Sequence, residues 1–272
     1  MSAPPDRVAK ILAIPDTHAW TGAVPAWLGD PAQRGIGAFV DHTLLRAEAT
    51  PDEIDEAARE GLALGTATVC VNGRWVARVR KALEGSPVKT CAVIGFPLGA
   101  MATSVKADEA RQALADGAAE LDMVMSIGEA RAGHWDLVAK DIAAVIAVAG
   151  TASVKVILET AVLSPADIVQ ASLVAVDTGA AFVKTSSGFH GAGGAMENAV
   201  RLMRRAVGSK IGVKASGGVR TSEMAVRFLA AGANRLGTSM TSEMTAIIGP
   251  GAPTLAELFA KLPDPAPAPP GY

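Results

Sequence analysis

Short apolar segments alternate eight times with amphipathic segments between residues 36 and 262, and this alternation predicts an α/β fold with a parallel sheet. Eight strand–helix units of this size favour a closed (β/α)8 barrel, a TIM barrel, over an open doubly wound sheet. Gly-Ala follows the helical segments at 117–118, 179–180 and 232–233, where it is typical of a helix end that leads into the next strand. One barrel domain is therefore expected.

The predicted strands are short runs of apolar and often β-branched residues. In chain order they are Ala38–Asp41, Ala67–Val71, Lys89–Gly95, Glu120–Met125, Ser153–Glu159, Ala181–Thr185, Gly212–Ser216 and Arg235–Gly237. The predicted helices are Pro51–Leu64, Arg74–Leu83, Val105–Ala115, Trp135–Val148, Ser164–Thr178, Met196–Val207, Ser222–Ala231 and Ser242–Ile248. Thr50-Pro51 and Ser164-Pro165 each place a capping residue before a proline at the first helical position, which is a start signal.

Composition divides the chain into three predicted parts, an extension at 1–35, the barrel at 36–262 and a tail at 263–272. The extension is rich in Pro, Trp and Ala, and a short helix is expected at Asp6–Ile14. The tail has five prolines in ten residues, so neither a helix nor a central strand is expected there. We expect the tail to be extended and mobile.

The composition disfavours several classes of protein. Hydrophobic residues make up 50% of the chain, and the net charge is −2 with no long basic run, so neither nucleic acid nor an anionic membrane is an expected partner. No apolar stretch approaches the roughly 20 residues that span a bilayer. The N-terminus lacks a signal-peptide pattern, and Cys70 and Cys91 fall on predicted interior strands, so a cytoplasmic protein without disulfides is expected.

Two lysines occupy equivalent positions on consecutive predicted strands. Lys184 and Lys214 each follow a short apolar run and precede a turn of small residues with glycine. Burial removes water from an ammonium group and neighbouring lysines repel each other, and both effects lower the pKa of a lysine. Because a neutral amine attacks carbonyl groups, the pair predicts Schiff-base catalysis. The alternative is a pair of structural ions held by carboxylates.

Acidic residues lie at the same strand ends. Asp41 could orient a lysine or the substrate, or cap the next loop, and Asp122 could simply neutralise Lys214 or Lys155. Lys155 and Glu159 share one strand face by two-residue alternation, so Glu159 is expected to be a structural partner of the interior lysines. The four histidines show no metal-ligand spacing, and no metal is expected.

Glycine-rich turns follow the last two predicted strands. They are Gly217-Gly218-Val219-Arg220 and Gly237-Thr238-Ser239, and the loops after strands 7 and 8 of this fold commonly bind phosphate through backbone N–H groups. Gly188, after the sixth strand, could form a third edge of the same phosphate site. The alternative is a set of tight turns without a ligand.

Taken together, these segments resemble the class I deoxyribose-phosphate aldolases. The matching segments run in order from about residue 36 to 248: Asp41-His42-Thr43-Leu44-Leu45, Val69-Cys70-Val71-Asn72, Val93-Ile94-Gly95-Phe96-Pro97-Leu98-Gly99, Glu120-Leu121-Asp122-Met123-Val124, Lys155-Val156-Ile157-Leu158-Glu159-Thr160, Phe182-Val183-Lys184-Thr185-Ser186-Ser187-Gly188-Phe189, Val213-Lys214-Ala215-Ser216-Gly217-Gly218-Val219-Arg220 and Arg235-Leu236-Gly237-Thr238-Ser239. The resemblance implies a lyase of deoxyribonucleotide catabolism, without metal or cofactor, that reversibly cleaves 2-deoxy-D-ribose 5-phosphate to acetaldehyde and D-glyceraldehyde 3-phosphate. It also implies a homo-oligomer of two or more copies.

The resemblance assigns roles residue by residue. Lys184 forms the imine, Lys214 lies beside it and favours its neutral form, and Asp122 belongs to a proton relay through bound water. The residues implied to bind the substrate or its phosphate are Asp41, Cys70, Ser187, Gly188, Gly217, Gly218, Val219, Arg220, Gly237, Thr238 and Ser239. Cys70 is otherwise expected to be a core residue near the pocket.

The sequence departs from the family pattern at a few positions. Ser187 stands where Thr is usual, Gly73 where Pro is usual, Met125-Ser126 where Ile-Asn is usual, and Met240 where a second Ser is usual. The lost hydroxyl at Met240 is expected to weaken phosphate binding. The only tyrosine, Tyr272, ends the tail, and we hypothesise that it folds over the pocket and takes part in proton transfer. The alternative is a tail end without a role.

Three rival functions stay open at this point. Another lysine aldolase of the same fold would act on a different sugar phosphate, and acetaldehyde as the sole donor separates the two. A barrel isomerase or epimerase would bind phosphate in the same loops, but it leaves the twin lysines unexplained and would be insensitive to borohydride. A non-catalytic sugar-phosphate binder is distinguished only by an assay.

Overall fold

The sheet is a closed barrel of eight parallel strands that pair in sequence order, and β8 pairs with β1. The computed structural model describes residues 5–15, 23–29, 35–241, 244 and 246–262. The strands are β1 Val40–Leu44, β2 Thr68–Val71, β3 Lys89–Ile94, β4 Glu120–Val124, β5 Ser153–Ile157, β6 Phe182–Lys184, β7 Gly212–Ser216 and β8 Arg235–Thr238. The predicted (β/α)8 class is confirmed.

Helices surround the barrel. Within the described ranges they are α1 Pro5–Leu12, α2 Pro51–Ala63, α3 Val76–Ala82, α4 Thr103–Ala115, α5 Ile127–Arg131, α6 Trp135–Ala149, α7 Pro165–Thr178, α8 Glu197–Val207, α9 Ser222–Ala231 and α10 Leu255–Ala260. Both predicted start signals are present, because Thr50 forms a capping box with Glu53 and the Ser164 hydroxyl accepts from the N–H of Asp167.

The first strand and two short helices differ from the prediction. The first strand is Val40–Leu44 rather than Ala38–Asp41, and Ile36–Phe39 before it form a 3-10 helix. Neither α5 nor α10 was predicted. Residues 242, 243 and 245 of the helix predicted at 242–248 lie outside the described part of the chain.

Strand alternation divides the side chains between two environments. On β4, Leu121 and Met123 belong to the apolar layer under the helices, which contains most of the buried hydrophobic residues. Glu120 and Asp122 alternate with them, so they point into the barrel. The register then places Asp122 beside Lys155 and Lys184 beside Lys214 on neighbouring strands. The barrel interior is therefore charged rather than filled only by aliphatic layers.

The described parts of the N-terminal extension pack on the barrel. The Arg7 guanidinium binds the Asp177 carboxylate at 2.9 and 3.1 Å, and the Trp27 indole donates to the carbonyl of Leu229 at 3.1 Å. The boundaries at residues 35 and 262 stay predictions. The tail, including Tyr272, lies outside the described residues, so the hypothesis about that tyrosine also stays a prediction. No described helix is long and apolar enough to cross a membrane.

Candidate active site

A cleft of about 730 Å³ opens at the carboxyl ends of β1, β6, β7 and β8. The residues that line it come from these strand ends and from α2: His42, Thr43, Leu44, Leu45, Arg46, Glu53, Glu56, Ala57, Glu60, Lys184, Ser187, Gly188, Phe189, Ser216, Gly217, Gly218, Val219, Arg220, Gly237, Thr238, Ser239 and Met240. The carboxyl end of the strands is where this fold places its active sites.

The two predicted lysines converge on one carboxylate. Lys184 ends β6 and its Nζ donates to Oδ2 of Asp122 at 2.7 Å, and Lys214 donates to the same oxygen at 2.7 Å. Lys214 is fully buried and also donates to Oδ2 of Asp41 at 2.5 Å. Lys184 lines the cleft and Lys214 does not. The pair therefore consists of one lysine that can meet a substrate and one that stands behind it.

A third lysine and an arginine complete this group of charges. Lys155 donates to Oδ1 of Asp122 at 2.7 Å, and its Nζ lies 2.7 Å from Oε2 of Glu120. Arg235 donates to Oδ1 of Asp41 at 2.6 Å and to Oε2 of Glu120 at 3.0 Å. We call these seven residues the interior network: Asp41, Glu120, Asp122, Lys155, Lys184, Lys214 and Arg235.

Sequence reasoning missed two members of the interior network. Glu120 shares the face of Asp122 by two-residue alternation, a signal that was present in the sequence. Arg235 begins β8 in register with Lys214, and its contact with Asp41 on β1 depends on barrel closure between β8 and β1. Neither residue lines the cleft.

The electrostatics of the network correct one expectation. Burial lowers the pKa of Lys214, but the negative charges of Asp122 and Asp41 outweigh burial and raise it above its ordinary value. The same balance raises the pKa of Lys155. The prediction that a buried strand-end lysine has a lowered pKa is therefore wrong for Lys214, because the carboxylates surround it more closely than the other cations do.

The carboxylates respond in the opposite direction. Burial raises the pKa of Asp122, but Lys155, Lys184 and Lys214 outweigh this and hold it well below its usual range. Arg235 and the interior lysines do the same for Asp41. Both aspartates are therefore ionised at neutral pH and accept hydrogen bonds from the interior cations.

The predicted phosphate loops meet at the cleft. The Thr238 hydroxyl donates to the carbonyl of Val219 at 2.7 Å and accepts from the N–H of Met240 at 2.9 Å, so one side chain joins the loops after β7 and β8. Gly217 and Gly218 have φ of +84° and +83°, a region that favours glycine. Their backbone N–H groups are thus held in loops that form one wall of the cleft.

Three candidate site residues lie outside the cleft lining. Asp41 and Cys70 are fully buried and absent from the cleft lining, since Asp41 is bound by network cations and Cys70 packs beside Cys91. Glu159 is not a partner of the lysines. Its left-handed backbone, with φ of 57°, turns the carboxylate towards Ser187, whose N–H and hydroxyl donate to it at 3.2 and 2.5 Å.

His42 is a buried cleft residue for which the sequence suggested no role. Its Nδ1 lies 2.8 Å from the Thr241 hydroxyl and its Nε2 lies 3.0 Å from a carboxylate oxygen of Glu60. Burial lowers the pKa of His42 to about 4, so the ring is neutral at pH 7. The ring of Phe189, which lines the cleft, packs edge to face against the ring of Phe96, with centroids 5.1 Å apart.

One group of possible metal ligands occurs among the described residues. Potential ligand atoms of Cys70, Cys91 and Asp122 lie within 4.8 Å of one another. The Asp122 carboxylate, however, is already held by three ammonium groups. Those positive charges make the position unfavourable for a divalent cation.

Comparisons with known proteins agree with this geometry. A family model described as DeoC/LacD family aldolase matches residues 38–249. The deoxyribose-phosphate aldolase of Streptococcus mutans is 49% identical over 204 residues, which cover 75% of this chain and 92% of the relative.

Solved structures with the same fold are also similar to this chain. A structure from Coccidioides immitis is 37% identical, with a TM-score of 0.78, and the match covers 87% of this chain and 93% of that one. The tetrameric deoxyribose phosphate aldolase of Aeropyrum pernix is 29% identical with a TM-score of 0.73, covering 89% and 96% of the two chains.

Fold and site together define a barrel lyase with a lysine at its cleft. The chain belongs to the DeoC/LacD family of aldolases. The resemblance seen in the sequence is confirmed.

Proposed function

We propose that the protein is a Schiff-base aldolase that reversibly cleaves 2-deoxy-D-ribose 5-phosphate to acetaldehyde and D-glyceraldehyde 3-phosphate. The observation that carries the proposal is the position of Lys184. It is the member of the interior network that lines the cleft, and the glycine-rich loops that can hold a phosphate line the same cleft. The names of the relatives, deoxyribose-phosphate aldolases, support this substrate.

In the proposed reaction, the neutral amine of Lys184 attacks the C1 aldehyde, and uptake of one proton with loss of water gives a protonated imine. A base then takes the proton of the C3 hydroxyl and the C2–C3 bond breaks as a carbonyl forms at C3. The electron pair of the broken bond passes into the imine to form an enamine. Glyceraldehyde 3-phosphate leaves. Protonation of the enamine at C2 and addition of water release acetaldehyde and regenerate the lysine.

Asp122 and Lys214 are the groups that can move protons in these steps. Asp122 accepts hydrogen bonds from both lysines through a single oxygen, so it connects Lys184 to Lys214 and can relay a proton between them. Lys214 does not reach the cleft, so its role acts through Asp122 rather than on the substrate. These assignments are part of the proposal.

The phosphate is proposed to bind at the loops after β6, β7 and β8. Backbone N–H groups of Gly217, Gly218 and Ser239 are candidates for its oxygens, and Arg220 offers a nearby positive charge. Phosphate binding there would place the other end of a five-carbon sugar towards Lys184.

Imine trapping tests the proposal. The protein is incubated with deoxyribose 5-phosphate, reduced with borohydride, and digested for mass spectrometry. We expect a reduced adduct on the peptide that contains Lys184 and none in Lys184→Ala. Absence of any adduct in a folded wild-type sample would contradict the proposal and favour an isomerase or a non-catalytic binder.

We also propose that the chain forms a homo-oligomer and is located in the cytoplasm. The tetrameric relative from Aeropyrum pernix supports the first statement. Both described cysteines are free thiols, which suits a reducing compartment. Sedimentation equilibrium would measure the number of copies, and cell fractionation the location.

A further inference from the structure

The charges of the interior network balance when Lys184 is left out. The other members are the carboxylates of Asp41, Glu120 and Asp122 and the cations Lys155, Lys214 and Arg235. Their side chains are at most 3% exposed, except that of Arg235 at 13%. Three negative charges face three positive charges, so a protonated Lys184 is a fourth cation without a fourth carboxylate in the network.

Arg235 and Glu120 are members of the network that do not line the cleft. Arg235 binds Asp41 and Glu120 with one nitrogen, and its guanidinium lies 5.1 Å from the centre of the Phe182 ring. Glu120 also binds Lys155, and the exposed Lys89 lies 3.9 Å from its other oxygen. Neither residue contacts the cleft, so neither can act on a substrate directly.

We propose that Arg235 and Glu120 are positioning residues that set the pH above which Lys184 is neutral enough to form the imine. The inference rests on the proposed function. Solvent screens a charge inside the barrel poorly. Removing a cation from the network therefore favours the protonated form of Lys184, and removing a carboxylate favours its neutral form. Arg235 additionally fixes Asp41, so that its second oxygen faces Lys214.

Other charged or titratable groups surround Lys184 and remain unchanged in the variants below. On the strands they are Asp41 and His42 on β1, Cys70 on β2, Cys91 on β3, Asp122 on β4, Lys155 on β5 with Glu159 after it, and Lys214 on β7. The charged residues that line the cleft together with Lys184 are Arg46, Glu53, Glu56, Glu60 and Arg220. The variants below therefore differ from wild type in the charge that was changed and, for Arg235, in the contact that fixes Asp41.

A pair of variants with opposite signs tests the inference. Glu120→Gln is expected to move the acidic limb of the kcat/KM profile, measured from about pH 5 to 9, to lower pH by about one unit. Arg235→Met is expected to move it to higher pH by a similar amount. The double variant Glu120→Gln/Arg235→Met restores charge balance, and Arg235→Lys keeps the charge, so both are expected to return the limb towards wild type.

The rate of borohydride trapping is measured over the same pH range, because it reports imine formation without later steps. Shifts in the same direction for both single variants, or no shift in either, would overturn the inference. If Arg235→Met fails to fold, Glu120→Gln and the double variant still show whether the acidic limb moves in the direction that the changed charge predicts. A wild-type protein that forms no imine at all would instead overturn the proposed function.

Discussion

Two groups of buried charges in this barrel differ in their charge balance, and we expect one to stabilise the fold and the other to take part in catalysis. Between α4 and α6, outside the sheet, the Lys106 ammonium binds Asp141 at 2.6 Å and the carbonyl of Val124 at 2.9 Å, and the Thr103 hydroxyl donates to the other Asp141 oxygen at 3.0 Å. This outer pair has one cation, one anion and a partner for each carboxylate oxygen. The interior network has four cations and three carboxylates, and its extra cation lines the cleft.

Burial alone does not separate the two groups, because Lys106, Lys155 and Lys214 are all fully buried. Their electrostatics differ. Burial lowers the pKa of Lys106 and the single Asp141 does not reverse it, whereas two aspartates raise the pKa of Lys214. A matched pair holds helices together, and an unmatched lysine at a cleft is placed for chemistry. The predictions that follow test this distinction.

Loss of the unmatched lysine should have the largest effect on activity. Lys184→Ala is expected to lower kcat/KM on the order of 10⁴-fold or more, since no other lysine lines the described cleft and the covalent route is lost. A coupled assay of acetaldehyde release measures it. The melting temperature should not fall, because the variant removes the cation that the network does not need. A large loss of stability would mean that Lys184 is an ordinary structural ion.

Breaking the outer pair should reverse this pattern. Lys106→Met leaves the Asp141 carboxylate buried without its cation, and the expected loss is about 3 to 5 kcal/mol in the free energy of unfolding. Urea unfolding measures the loss. Activity per folded molecule should stay at the wild-type level. The double variant Lys106→Met/Asp141→Leu removes the uncompensated charge and should recover most of the stability. A fall in activity of folded Lys106→Met would erase the distinction between the two groups.

The sequence predicted the barrel and the convergence of the lysines for the same reason. Strand alternation and repeated strand–helix units are local patterns. They place Lys184 and Lys214 at the carboxyl ends of neighbouring strands. The charge balance depends on strands far apart in the chain, such as β4 and β8, so Arg235 could not be paired with Glu120 from spacing. Glu159 was misplaced because its left-handed backbone breaks the alternation that the prediction assumed.

His42 offers a third case, a buried group that is neutral. Its pKa is lowered from 6.5 to about 4 by burial, so the unfolded chain takes up a proton before the folded protein does. Stability should therefore fall as the pH drops from about 6.5 towards 4, by about 2 to 3 kcal/mol, with Glu60 offsetting part of the cost. Urea unfolding at several pH values measures this, and His42→Gln should flatten the dependence in that window. An unchanged slope in the variant would show that other groups control acid stability.

The smallest expected effect concerns the phosphate end of the cleft. Met240 lines the cleft and its N–H is held by the Thr238 hydroxyl, so a serine at this position would present a new donor without altering the loop. A hydrogen bond to a charged phosphate contributes about 1.5 kcal/mol, and Met240→Ser should lower KM for deoxyribose 5-phosphate roughly tenfold. KM for unphosphorylated deoxyribose is the control and should not change. An equal change for both sugars would place the effect at the reacting carbons, next to Lys184, and would mean that phosphate binding and imine formation are not separate regions of this cleft.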